Sequence, residues 1–135
     1  ASKVLAVIHD THGAAGNNLS GLLGVQAPPV ESSSIYDDRA EAFGGSESDV
    51  LAAAYELESE IVATHADLIG RVESTDGVST IVPVMLGEAR HLPTIAALDG
   101  AAEDLGAMLD NDASSLAQGA GDTETVSTEP VSSEG

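Results

Sequence analysis

The sequence predicts an all-α domain built on an antiparallel helical hairpin. Two observations carry that reading. Apolar residues from Val50 to Val72 recur at intervals of three and four, the period of one helical face. A second such pattern puts Met85, Glu88, His91 and Leu92 on one face. It follows Glu73-Ser74-Thr75-Asp76-Gly77, a break long enough to turn the chain back on itself.

Taken in order, residues 2–12 read either as a helix or as a short buried strand. Val4, Leu5 and Ile8 fit one helical face, with Ser2 as its N-cap. Gly13, Gly16, Asn17 and Asn18 weaken any helix there, and Leu19 to Leu23 resume one that Gly24 stops. Pro28-Pro29 and Ser32 to Ser34 mark a loop, and Tyr36 to Phe43 give one or two helical turns. The first long helix is expected from about Asp49 to Glu73, capped by Ser46 or Ser48 with Asp49 favourable to the first-turn dipole.

Thr75-Asp76-Gly77 reads as a turn, and the next helix as starting near Ser79 or Thr80, with Pro83 in its tolerated first turn. Pro93 removes a backbone donor and is expected to kink or end that helix. The pattern resumes from Thr94 to Leu109, and Asp110-Asn111-Asp112 ends it. Residues 1–117 thus form one helical domain with its core hairpin at about 49–98. Residues 118–135, rich in Gly, Ser, Thr, Glu and Pro, read as an acidic disordered tail.

Composition narrows the function classes. The chain has 23 acidic and 4 basic residues, a formal charge of −19. Such a surface repels nucleic acid and anionic membranes, so neither is an expected partner. Self-repulsion on this scale is screened at about 1 M salt, where the Debye length is about 3 Å. A halophilic protein of a high-salt cytoplasm is the expectation. The absence of cysteine excludes disulfides, thiolate chemistry and iron–sulfur clusters. No run of 18 apolar residues offers a membrane span, and the apolar run before His9 is too short for a signal peptide. Aromatic residues are 2 % of the chain, so the core must come from Ala, Val, Leu and Ile.

Chemistry concentrates on the hairpin. Glu58 and His65 are seven residues apart and Glu88 and His91 three apart, so each pair shares a helical face. Carboxylate oxygen and neutral imidazole are the donors iron and manganese accept. Buried carboxylates without a counter-charge cost several kcal/mol, on the order of a large mutational effect, so a cation there would relieve a real penalty. The competing reading is a non-catalytic helical protein, structural or interacting, with surface carboxylates and half-exposed histidines.

Leu57-Glu58 with His65, then Gly87-Glu88-Ala89-Arg90-His91, resembles the first two helices of the ferritin-like superfamily. The 30-residue separation of Glu58 and Glu88 is similar to that of half-ferritins such as encapsulated ferritin. The likeness covers residues 49–98, and His65 stands where that family commonly has Tyr. The resemblance implies a ferritin-like hairpin or four-helix bundle, with Glu58 and Glu88 binding or bridging metal and His91 a terminal ligand. It makes Glu58, Glu88 and His91 the catalytic residues and His65 a further ligand or a donor behind the ligands. Iron, in a di-iron centre, or manganese would be the cofactor, and Fe(II) oxidation for iron storage or detoxification the activity. A dimetal carboxylate centre draws on four helices, and this chain shows half that set. A two-fold homodimer or larger homo-oligomer would supply the rest.

The alternative is a site completed in one chain by His9 and His12 on a third helix; otherwise these are ordinary, partly exposed histidines. His9-Asp10-Thr11-His12 also resembles the first motif of metallophosphoesterases, but the further signatures of that family are missing. Asp110-Asn111-Asp112 is no EF-hand, because Ser115 and Gly121 stand where that loop needs Gly and Glu. There is no phosphate-binding glycine loop and no nucleophile elbow.

Overall fold

A computed structural model describes residues 1–26, 33–100 and 111–117, and the regular elements among the described residues are all helices, with no strand. Helix α1 spans Ser2–Leu23 and runs into a 3-10 turn, Gly24–Gln26. Two short helices follow, α2 (Ser33–Asp37) and α3 (Ala40–Phe43). The long helices α4 (Glu47–Arg71) and α5 (Thr75–Leu98) form the hairpin.

The hairpin is antiparallel, as the sequence predicts. Ser48 at the start of α4 donates a hydrogen bond to Asp99 just past the end of α5, at 2.8 Å. Leu51 (2 % exposed) and Ile95 (1 %) meet at that end, and α4 and α5 make the most extensive helix–helix packing among the described residues. Helix α1 lies parallel to α4. Its Ile8 joins Leu51 and Ile95 in the core, with Val4, Leu5, Ala54, Tyr55 and Leu98 packed around them.

The start of α4 follows from its letters. The Ser46 side chain accepts from the Asp49 backbone N–H, and the Asp49 carboxylate accepts from the Ser46 N–H, a reciprocal capping box. Arg39 reaches back from the α3 entry to pair with Glu60, tying the short helices to α4. Residues 111–117 run along the same helix. Asn111 donates to the Ser59 carbonyl at 3.0 Å, the Leu116 N–H to Thr64 at 2.8 Å, and Ser115 to Asp67 at 3.2 Å.

Four sequence expectations need correction. Residues 2–23 are one continuous helix, with no strand and no interruption at the glycines and asparagines. The N-cap position is Ala1, without a side-chain cap, so Ser2 is already helical. Helix α5 starts four or five residues earlier than expected. The Ser74 hydroxyl accepts from the Gly77 N–H and turns Thr75-Asp76-Gly77 into the first helical turn, which leaves Pro83 in the helix interior. Pro93 does not end α5. Both prolines face solvent, and the buried row Leu92, Ile95 and Ala96 carries the helix on to Leu98. Gly100, with φ +80°, takes the left-handed conformation beyond the end of α5. The continuation expected over 101–109, most of the loop around Pro28-Pro29, and the tail from 118 lie outside the described residues.

Candidate metal centre

Three helices bring four potential ligands to one point. Helix α4 presents Glu58, α5 presents Glu88 and His91 one turn apart, and α1 presents His12. One donor atom from each lies within 4.8 Å of all the others. Donors around a divalent transition-metal ion sit at about 2.1 Å from it, so the largest separation they can have is about 4.2 Å. Rotamer shifts of a few tenths of an ångström would therefore close the four onto a single ion.

The carboxylates are deeply buried, Glu58 at 4 % exposure and Glu88 at 2 %. His12 Nε2 donates to Glu58 Oε1 at 2.8 Å, and His91 Nδ1 donates to the same oxygen at 3.2 Å. Glu88 Oε2 stands 3.3 Å from His12 Nε2 and 3.1 Å from His91 Nδ1, yet neither approach is a hydrogen bond. The two imidazoles meet edge to face, their centres 5.4 Å apart. Glu58 Oε2 and Glu88 Oε2 are buried with no hydrogen-bond partner. An unsatisfied buried carboxylate oxygen costs several kcal/mol, on the order of the penalty for breaking a buried ion pair. Glu58 Oε1 and Glu88 Oε2 beside two imidazole nitrogens are the donor set that a divalent cation satisfies.

Electrostatics supports the same fit. Burial pushes the Glu88 carboxyl up to about 7, and the neighbouring Glu58 carboxylate adds to the rise while His12 opposes it. Burial acts upward on Glu58 too, but the hydrogen bond and charge of His12 outweigh it and hold that carboxyl below its usual range. The hydrogen bond to Glu58 raises His12, against a smaller opposing effect of burial. One carboxyl is thus ionised and its neighbour keeps a proton towards neutrality, as two acids do when forced together in a dry site.

The sequence-predicted site residues separate. Glu58, Glu88 and His91 come together as the spacing implied. His65 does not join them. It lies two turns further along α4, in a cleft of 540 Å³ lined by Leu19, Leu22, Leu23, Leu68 and Ile81. There burial lowers its pKa. Its Nδ1 is buried without a hydrogen-bond partner of good geometry. His9 points away, its side chain 88 % exposed beside Asp10. His12 enters the cluster from a third helix, and His9 does not. The signal for His12 was its helical register with Ile8, one turn earlier, which the glycines after it obscured.

Comparison of the chain with protein-family models, with curated proteins and with solved structures finds no match.

Proposed function

We propose that His12, Glu58, Glu88 and His91 bind a divalent transition-metal ion of the iron or manganese class, in a protein of ferritin-like type. The observation that carries this reading is the convergence of two imidazoles on two buried carboxylates, each of which keeps one oxygen without a hydrogen bond. The mixed oxygen and nitrogen donors favour iron or manganese over calcium, which prefers oxygen alone.

Fe(II) oxidation follows from the resemblance to ferritin-like proteins, with Fe(II) as the substrate. Two Fe(II) ions each lose one electron, and one dioxygen takes both with two protons to become hydrogen peroxide. The dimetal form of this chemistry uses carboxylates from four helices. Among the described residues one chain brings two glutamates to the cluster, and a second copy related by a two-fold axis would supply the other half of the dimetal form. The presence of His12 in the cluster favours instead one ion held by four ligands of a single chain.

The test is a calorimetric Fe(II) titration without oxygen, followed by admission of air and a sedimentation run in the same salt. Binding, oxidation and a constant monomer mass support the single-chain site. A mass that doubles with two ions per chain pair supports the shared one. A chain that takes up no Fe(II) or Mn(II) is the non-catalytic helical protein of the competing reading.

A further inference from the structure

We infer that α1 is a metal-linked clasp: it docks fully on the α4–α5 hairpin when an ion draws His12 onto Glu58, Glu88 and His91. This rests on the metal reading above and adds a coupling that the reading does not require.

Three observations point to it. First, α1 has little of its own to keep it helical. No side chain caps its start, no acid sits in its first turn, and no base sits in its last. Gly13, Gly16 and Gly21 lie within it, together with Asn17 and Asn18, all weak helix formers. Second, packing does not require those glycines. A Cβ built on any of the three meets nothing within 4 Å. Third, the docking of α1 is one-sided along its length. Ile8 is its single buried residue, with Val4 and Leu5 half-buried beside it, whereas beyond His12 nothing is buried: Ala15 and Leu19 are half-buried, and Leu22 and Leu23 are 68 % and 51 % exposed on the rim of the His65 cleft. Among the described residues, His12 is the only α1 side chain hydrogen-bonded to either hairpin helix.

His12 therefore stands at the boundary between the docked first half of α1 and a second half that has low helix propensity and buries no residue. An ion that binds the docked form better than the undocked form shifts the population towards docking by that difference in affinity. The glycines set how much of the binding free energy goes into ordering the helix.

The experiment is hydrogen exchange by mass spectrometry on the full chain, with and without Mn(II), alongside calorimetry in the same salt. With free Mn(II) at ten times its dissociation constant, amides of residues 13–23 should gain protection by roughly tenfold, and those of α4 should change little. The triple variant Gly13→Ala, Gly16→Ala, Gly21→Ala should be protected before Mn(II) is added. It should also bind Mn(II) more tightly, by up to roughly five-fold per glycine replaced. His12→Ala should show no Mn(II)-dependent gain in α1. Stoichiometric Mn(II) binding with α1 protection unchanged overturns the clasp and leaves the metal site standing. Absence of binding overturns both.

Discussion

Helices α1 and α4 are close in length, 22 and 25 residues, and each gives one polar side chain to the same cluster. Helix α4 starts with a capping box, carries Glu47 and Asp49 in its first turn, ends with Arg71, and buries Leu51, Ala53 and Glu58. Helix α1 has no such cap or terminal charge and buries Ile8 alone. Charge separates them as well. On α4, six carboxylates (Glu47, Asp49, Glu56, Glu58, Glu60 and Asp67) face one base, Arg71, whereas on α1 Lys3 and Asp10 cancel. A site that spans both helices thus joins a self-sufficient element to a dependent one. The self-sufficient element is also the one exposed to electrostatic repulsion.

Withdrawing salt should break this contrast most completely. With −19 on the chain and most of the helical excess on α4, circular dichroism should show loss of most helix below a few tenths molar salt, where the Debye length grows past about 5 Å. Full helicity and a cooperative melt in low salt would remove the charge argument.

Substitution within the cluster comes next in size. Glu88→Ala should weaken Mn(II) binding by roughly a hundredfold or more while leaving helicity near wild type. Its buried carboxyl costs the metal-free fold more than it returns, so truncation relieves a penalty. His65→Ala, in the apolar cleft, should stay within about two-fold of wild type, which calorimetry resolves. Equal losses for the two variants would put His65 back among the ligands.

The pH dependence of the metal-free chain is a smaller effect with a definite sign. Glu88, raised to about 7, keeps its proton in the folded state while the unfolded chain loses it above about pH 4.5, so stability falls as pH rises between those values. His12 is also raised. Its stabilising contribution is full below about pH 6.5 and is lost as pH passes its folded pKa. Glu58, held low, contributes stability above about pH 4.5 that is lost only on further acidification. The melting temperature should therefore fall from about pH 5 to about pH 8, and Glu88→Gln should flatten much of that slope. A melting temperature that rises over this range contradicts the charge states assigned to the cluster.

The smallest effects test the helix starts. Ser46→Ala should cost about 1 kcal/mol in chemical unfolding, whereas Ser2→Ala should stay within about 0.5 kcal/mol because Ser2 caps nothing.

The hairpin and three of the four clustered residues were legible in the sequence because their evidence is periodic. Glu58 sits on the stripe of Leu51 and Ala54, and Glu88 and His91 sit with Leu92. The start of α5 was not legible. Ser-Thr-Asp-Gly is a turn by composition, and only the Ser74 hydroxyl on the Gly77 N–H makes it a helical turn. Pro93 misled for a related reason: its ring points to solvent while Leu92 and Ile95 hold the opposite face, so packing overrides local propensity. His12 was missed as a main ligand because its neighbours Gly13 and Gly16 lower helix propensity, and no local signal shows that α1 lies beside α4. His65 passed the face test, since a seven-residue step keeps the face, but it also moves about 10 Å along the axis, beyond the reach of a shared ion.

The most direct test is the anomalous difference map of a crystal soaked in Mn(II). One strong peak is expected among His12 Nε2, Glu58, Glu88 and His91 Nδ1, with none at His65 and none in the acidic cleft formed by Asp38, Glu41, Asp49 and Glu56. A peak in that cleft with none between α1, α4 and α5 would contradict the metal assignment.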